Sequence, residues 1–591
     1  MPNRLKILKK LAQMPEVVAL SPAEIAAQEA LDQMFQCINE RRNFRLEAGA
    51  GAGKTYSLVK ALQWIIEEVG LQLIRRHQKV ACITYTNVAT DEVIKRTDGH
   101  PAIQASTIHS FCWELCKNFQ SILRQEVLKI PRLNEKIEEA GGIGGQRVGY
   151  DLGYRRVTED EILLHHDDVL KLMVALMEHP KFRRILTTRF PVIFIDEYQD
   201  TDAEFANSLI RNFVDTRDGP LIGLFGDSWQ KIYRTGAGSI EHENLHPIGK
   251  EANFRSVPAI VEVLNRIRPD LPQEVSDPAA TGTVKVYHSN NFGGQRQTGG
   301  HWGGDLPAED AHVYLTALRE QLTNSGWDFS PRKTKILMLT HSILAAEQNY
   351  RQILDVFEFN DSLFQKEDPH IAFFADTVEP ACAAFAAGKF GEMFSVVGRK
   401  MGRLTNIADK RAWSRDMQRL VELRKAGTIG EVIDLLKETR RPRLPDAVMR
   451  TERRLVEAGR EEIDESRTLR QIERLRPLPY TELISLAEFI NDHTPFSTKH
   501  GVKGAEFENV LVVFGRGWNQ YNWNQFLEWF PNRYPNNRED SYVRNRNLFY
   551  VACSRPQKNL ALLFTQELSA DGLNTLEEWF GAENISDFVP S

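Results

Sequence analysis

The stretch EAGAGAGKTYSLVKAL, residues 47–62, ends a glycine-rich turn in Gly53-Lys54-Thr55 directly before an amphipathic run. A phosphate-binding loop needs a strand, a turn of little side-chain bulk so that backbone N–H groups converge on an anion, and a helix whose N-terminus faces it. Ala48, Gly49, Ala50, Gly51, Ala52 and Gly53 supply the small residues. Lys54 can reach β- and γ-phosphates, and Thr55 can hold Mg²⁺. Leu58, Leu62, Ile65, Ile66 and Val69 recur at helical spacing and predict the helix such a loop requires. Ala48 stands where the general motif has its first glycine. The plain alternative, a bare glycine-rich turn, is disfavoured by the GKT ending and by the helix.

A second constellation lies in FPVIFIDEYQD. Its apolar run, Val192 to Ile195, reads as a buried parallel strand that delivers Asp196 and Glu197 at its carboxyl end, where open α/β sheets bind ligands. Asp196 can position Mg²⁺ through its water shell, and Glu197 can orient and deprotonate an attacking water. By itself such a pair is often a solvated edge or a helix cap. With a phosphate loop upstream, hydrolysis of a nucleoside triphosphate is the chemistry both motifs predict.

The elements that must position these residues belong to a chain of 591 residues, too long for one hydrophobic core; length alone suggests about four domains. No apolar run approaches a membrane span, and the N-terminal stretch lacks the apolar core and cleavage site of a signal peptide. The six cysteines are scattered, with only Cys112 and Cys116 close together, which predicts reduced structural thiols and a cytoplasmic protein. The net charge of -6 does not advertise nucleic acid, but a binding groove can carry local positive charge.

Eight stretches occur in order: AGAGAGKT (48–55), TYTNVA (84–89), TIHSF (107–111), DEYQDT (196–201), GDSWQKIY (226–233), NFRS (253–256), TKHGVKGAEF (498–507) and LFYVACSR (548–555). The series resembles the motif set of the UvrD/Rep-like superfamily 1 DNA helicases. The resemblance implies an α/β fold: two RecA-like P-loop NTPase motor domains, parallel sheets with helices on both faces, carrying mostly helical accessory insertions. It implies motor domain 1A over 1–110 and 161–250 with a 1B-like insertion at 111–160. Motor domain 2A then covers 251–344 and 491–591, with a 2B-like helical insertion at 345–490. It further implies that Gln230 senses the γ-phosphate and that Arg255 and Arg555 neutralise charge on the transferred phosphoryl group, a task suited to guanidinium forks. Phe254 sits where the family stacks an aromatic on the base, and Glu506 where it contacts the ribose side of ATP. ATP and Mg²⁺ are the implied cofactors.

Some positions depart from the family. Tyr56 stands where relatives commonly have an arginine beside the adenine. Gln28 is the candidate for the adenine-reading glutamine, with a solvated helix glutamine as the equal alternative. RNRN (544–547) replaces acidic residues before the last motif, and QKIYRTGAG lacks the tryptophan that stacks on a base, Trp229 preceding Gln230 instead.

Single-stranded nucleic acid is held by small polar donors on its backbone and by aromatic stacking. Thr84, Thr86, Asn87, Thr107 and His109 are candidate donors, Tyr85 a candidate stacker, and His500 and Lys503 candidate contacts from the second motor domain. The competing reading of each threonine is a helix cap. The aromatic stretch 515–540, with Trp518, Tyr521, Trp523, Phe526, Trp529, Phe530 and Tyr534, suits base stacking, a partner interface or plain packing. HHDDVLKLM (165–173) suggests a metal less than a helix cap. GGQRQTGGHWGG (293–304) predicts a mobile loop by composition. Arg399 to Arg476 carries a positive excess, read either as duplex binding or as a solvated, ion-paired helical surface.

The combined expectation is an ATP-dependent DNA helicase and translocase moving 3′→5′ on single-stranded or tailed duplex DNA, RNA being undistinguished by such contacts. The alternative is a nucleic-acid-sensing ATPase switch that regulates a partner. Similar helicases stand beside nucleases in antiviral systems such as Gabija, so a separate nuclease subunit and a defence role follow by analogy. The segment after Arg555 is too short for the C-terminal nuclease domain of some recombination relatives. No membrane partner is expected.

Overall fold

The computed structural model describes residues 20–590 except 151–154, 217, 232–234, 301, 339–343, 346, 358–362, 365, 399–405, 492, 498–504 and 517–520. Its contacts divide the chain into two units: one runs to Val284 and takes back Pro531–Asn559, the other comprises Lys285–Phe530 and Leu560 onward.

In the first unit α1 (Pro22–Asn39) leads into β1 (Phe44–Ala48), followed by α2 (Lys54–Arg75), β2 (Val80–Thr84), α3 (Asn87–Arg96), β3 (Ile103–Thr107) and α4 (Ile108–Cys116). A small insertion carries β4 (Arg147–Tyr150), β5 (Arg156–Val157) and β6 (Glu161–Leu164). Then come α5 (His166–Met177), β7 (Val192–Asp196), β8 (Leu221–Gly226), β9 (His246–Lys250), β10 (Ala252–Asn253), α6 (Pro258–Ile267) and β11 (Glu274–Val275). The main sheet has the order β3-β2-β7-β8-β1-β9 with every pairing parallel.

Both faces of that sheet are covered, which is why β2, β7 and β8 are buried along their whole length. Phe44, Leu46, Phe194 and Phe225 face α1 and α2, with Phe44, Phe194 and Phe225 meeting edge to face at 5.4–5.9 Å. Ile83, Ile193, Ile195 and Leu224 face the α4 and α5 side. In this doubly wound arrangement all six strands end on one rim, the place where ligands meet such sheets.

The insertion sheet, order β4-β6-β5, was not legible in its glycine-rich sequence. It leads to the His165 cap of α5, where His165 accepts from Asp167 N and Asp168 accepts from His165 N at 3.0 Å. Arg155 grips the buried Asp168 with two bonds of 2.7 Å. The HHDD stretch is therefore a helix cap, and among the described residues there is no metal-holding cluster.

A second six-stranded sheet, most of whose residues belong to the second unit, comprises β12 (Thr283–His288), β13 (Thr334–Met338), β14 (Phe496–Ser497), β15 (Phe507–Phe514), β16 (Pro556–Phe564) and β17 (Ile585–Asp587) in the order β14-β13-β15-β16-β12-β17. Helices at 407–426, 429–439, 446–457, 467–475 and 480–490 share one apolar cluster with Ile336, Leu511 and Leu563 of the sheet. Arginines of the basic stretch are committed to carboxylates: Arg419 to Glu438, Arg441 to Asp416, Arg460 to Glu473, and Arg476 to both Glu452 and Asp434. The ion-paired helical surface is thus the reading the structure favours.

The glycine-rich stretch 293–304 is pinned, contrary to its composition. Arg296 donates to the carbonyls of Gly304 and Thr565, both at 3.1 Å. The neighbouring Asp305, 2% exposed, accepts from Arg516 N at 2.6 Å. Burial pushes its carboxyl up to about 6, against the hydrogen bonds that favour its charge.

Tyr521, Trp523, Phe526 and Phe530 are packing residues. Trp523 is fully buried, lies edge-on to Phe514 at 4.8 Å and donates its indole N–H to Gly515 O at 3.2 Å. Phe526 and Phe530 meet Trp579. Trp523→Ala is expected to destabilise this unit by ~3–5 kcal/mol, read as a lower denaturant midpoint at unchanged slope. A loss below ~1 kcal/mol would mean the site collapses around the smaller residue.

Candidate nucleotide hydrolysis site

The rim of the first sheet gathers the predicted chemistry. β1 ends at Ala48 and the chain turns through Gly49–Gly53 into α2; Ala48, Ala50 and Ala52 are buried. Gly51 and Gly53 lie at φ 76° and 74°, the left-handed region that favours glycine. A Cβ on Gly51 would stand 2.8 Å from Asn253 Oδ1. Gly53 caps α2 with no side chain, so the first amides of the helix are left for an anion. Thr55 sits half-buried in the first turn. Such a cradle fits a polyphosphate, with Thr55 and Asp196 as the groups to hold Mg²⁺.

Lys54 Nζ lies 3.2 Å from Glu197 Oε2. Burial works against the lysine's charge, but Glu197, Asp227 and Asp196 outweigh it and hold its pKa above the ordinary lysine value. Glu197 occupies the left-handed region at φ 52°, which turns the chain sharply after β7 while the Asp196 carboxylate accepts from Glu197 N at 3.1 Å. Non-glycine residues in that region carry strain and cluster at functional sites.

At the end of β8, Gln230 donates to Asp227 at 2.7 Å and accepts from Arg555 Nη2 at 3.3 Å. Arg255 Nη1 donates to Ser554 O at 2.9 Å. Burial, reinforced by the like charge of Arg255, pushes Arg555 down to about 9. Lys54, Glu197, Gln230, Arg255 and Arg555 are thus brought together within the first unit. This convergence spans 500 residues of sequence.

Several residues behind the rim were not visible in the sequence. Glu47 accepts from Ser228 N at 2.8 Å, Ser228 Oγ at 2.6 Å and the Tyr198 hydroxyl. Arg268, 2% exposed, bridges Glu47 at 3.1 Å and Asp227 at 2.6 Å. Its guanidinium also lies 5.2 Å from the Trp229 ring and 5.6 Å from that of Tyr550. The Tyr550 hydroxyl accepts from Ala50 N at 3.4 Å, and Gln273 and Asn253 both donate to Ala50 O. Each residue stands alone in sequence; only the charge of Glu47 inside a strand could have signalled this network.

The other candidates are distributed as follows. Tyr56 and Phe254 are 48% and 45% exposed, and Phe254 N donates to Gly51 O at 3.0 Å, which puts that aromatic at the loop. Gln28 is exposed and gives its amide to Asp32 at 2.7 Å, so the structure shows the solvated helix glutamine. Glu506 is exposed, just before β15 in the second unit. His500, Lys503 and Trp518 lie outside the described residues.

On the same rim, β2 and β3 present the strand-binding candidates. Tyr85 and Asn87 are exposed; Thr86 caps α3 by accepting from Ala89 N at 3.2 Å. Thr84 is buried and bonds Thr90 at 2.6 Å, so its hydroxyl is structural. Thr107 Oγ1 meets Ser110 at 3.0 Å. His109 stacks edge-on to His166 at 4.8 Å, and burial with that neighbour pushes it down to about 4, neutral near pH 7. Thr84, Tyr85 and His109 line a cavity of about 420 Å³ that reaches Asp196, Asp200 and Asp202.

Comparison with protein families gives two matches: an AAA domain over residues 32–236 and a UvrD-like helicase C-terminal domain over 323–567. The chain belongs to the UvrD-like superfamily 1 helicases. The helicase is 24% identical to the Gabija protein GajB of Bacillus cereus, over 94% of this chain and 97% of that one. It is 25% identical to the ATP-dependent DNA helicase UvrD1 of Mycobacterium tuberculosis over 42% of this chain and 41% of the relative. Against the ATP-dependent DNA helicase PcrA of Staphylococcus aureus the figures are 26%, 37% and 37%. Its fold class, two RecA-like motor folds with α/β sheets, agrees with that membership. Among the described residues, no helix is long and apolar enough to cross a membrane.

Membership gives meaning to the departures. Trp229 is held between the guanidinium groups of Arg546, 4.0 Å from its ring, and Arg268. Asn547 donates to the carbonyls of Ser228 and Lys231 at 3.2 and 3.3 Å. In this helicase RNRN therefore fastens the last motif to the Gln230 turn, and Trp229 is a structural ring.

Proposed function

We propose that the chain is an ATP-driven motor that translocates 3′→5′ on single-stranded DNA and separates strands. The observation that carries this reading is the convergence of Lys54, Glu197, Gln230, Arg255 and Arg555 on the rim that also presents Tyr85, Asn87 and His109. Lys54 and the amides of the loop hold the triphosphate. Thr55 and Asp196 would hold Mg²⁺, which would supply charge neutralisation at the phosphates. Glu197 orients the attacking water and takes its proton; Gln230 reads the γ-phosphate; Arg255 and Arg555 neutralise charge as the bond breaks. Tyr56 and Phe254 stack on the base. The polarity rests on the family resemblance.

The test measures ATP hydrolysis and strand separation together on duplexes with a 3′ tail, a 5′ tail or none. Unwinding confined to the 3′-tailed duplex is the expected result; unwinding from the 5′ tail overturns the polarity.

A second reading, an ATPase switch that senses nucleic acid and regulates a partner nuclease in antiviral defence, is favoured by similarity to a Gabija protein over nearly the whole chain. Trp229 being committed to Arg268 and Arg546 also favours it. Hydrolysis stimulated by DNA with no strand separation, and a nuclease that co-purifies, would select this reading.

A further inference from the structure

Lys250 ends β9, the edge strand beside β1, with Ala48 as its register partner. Its side chain runs underneath the phosphate loop. Nζ donates to Gly53 O at 3.1 Å and to Ser57 Oγ at 2.8 Å, and it lies 5.7 Å from the Tyr56 ring. The residue is 0% exposed and has no ion-pair partner among the described residues. A buried ammonium with no counter-ion is costly, and proteins keep such charges only where something compensates them. If tethering Gly53 were the whole purpose, a neutral donor would do it without desolvating a charge.

The groups around it do not supply that compensation. From α2 come Lys54, Tyr56 and Lys60, the last sharing the Tyr56 ring. From β1 comes Glu47, whose carboxylate is spent on Ser228, Tyr198 and Arg268. α1 packs on β9 and buries Ala23, Ala27, Ala30 and Met34; its Glu24 is spent on Ser21. Glu251 follows Lys250 in the chain and is exposed.

We propose that Lys250 is a second cation of the nucleotide site, a positioning residue that sets the Gly53 turn from below and has its charge matched only when a polyphosphate occupies the loop. The inference rests on the reading of this loop as the ATP site. Its physical consequence is a proton linkage. Burial pushes the Lys250 ammonium down to about 8 in the ligand-free protein. An anion above the loop favours the charged form, so binding takes up a proton wherever free Lys250 is already partly neutral, that is, above about pH 8.

The test is calorimetric titration of the full chain with ATPγS and Mg²⁺ at pH 7 and pH 9, in buffers of different ionisation enthalpy. The wild type is expected to lose about tenfold in affinity over this interval and to take up protons at pH 9. Lys250→Met is expected to bind about tenfold more weakly at pH 7, with no proton uptake at pH 9. Lys250→Arg keeps a charge that does not titrate and is expected to restore affinity with a flat pH profile. Thermal melting without nucleotide reports whether each variant folds. Wild-type binding at both pH values, with Lys250→Met showing the same affinity and the same proton uptake, overturns this inference alone. A wild type that binds no nucleotide, like the control Lys54→Ala, overturns the reading of the loop as well.

Discussion

Glu197→Gln is expected to lower the kcat of DNA-stimulated ATP hydrolysis by about 10²–10⁴-fold while ATP binding persists. The substitution keeps the volume and the bond towards Lys54, 3.2 Å from the carboxylate in the native chain. It removes the only property the chemistry requires, a basic oxygen able to take a proton from water. The strained turn at φ 52° is retained, because an amide side chain adopts that backbone no less readily than a carboxylate. Steady-state turnover with saturating single-stranded DNA, beside an equilibrium binding measurement, separates the two effects. Hydrolysis within tenfold of wild type would remove Glu197 from the role of base.

The second large effect is expected at Arg555. Arg555→Lys should reduce single-turnover hydrolysis by about 10³-fold with little change in KM for ATP. Lysine keeps the charge but loses the planar fork that grips phosphate oxygens bidentately. It also cannot reproduce the simultaneous bonds from Nε to Val551 O and from Nη2 to Gln230. The protein already keeps two guanidinium groups close enough for burial and Arg255 together to lower the pKa of Arg555, an arrangement that favours an incoming anion. A loss smaller than about fivefold would assign Arg555 to the packing of the last motif.

Lys54, Asp196 and Glu197 were legible because the backbone builds their site locally: a turn of small residues, a helix start and a strand end all write themselves into adjacent positions. That Gln230, Arg255 and Arg555 come together beside them was legible only through the order of the motifs, since nothing local marks an arginine as reaching that rim. Arg268, Gln273 and Lys250 were illegible for a related reason. Each acts through contacts made across the fold, as Arg268 does on Glu47 and Asp227 and Lys250 on Gly53 and Ser57. The basic stretch 399–476 left two readings open in sequence, because its partners Glu438, Asp416 and Glu452 are set by helix packing. At the glycine-rich stretch 293–304, Arg296 and the neighbouring Asp305 make bonds that the glycine content does not announce. Thr84 lines the same cavity as Tyr85 and His109, yet its hydroxyl bonds Thr90, the outcome a strand-end threonine beside a helix cap invites.

Residues 531–559 return to the first unit, carrying Tyr550 and Arg555 beneath and beside the loop that began near residue 48. A ribosome making this protein therefore finishes the first sheet long before its missing helix exists. The intervening residues 285–530 must be synthesised first, which at ordinary elongation rates takes on the order of tens of seconds. Until then Ala50 N lacks the Tyr550 hydroxyl, Gln230 lacks Arg555 and Arg268 lacks the Tyr550 ring. A nascent chain that has not yet reached residue 555 thus carries the phosphate loop without Arg555 beside Gln230.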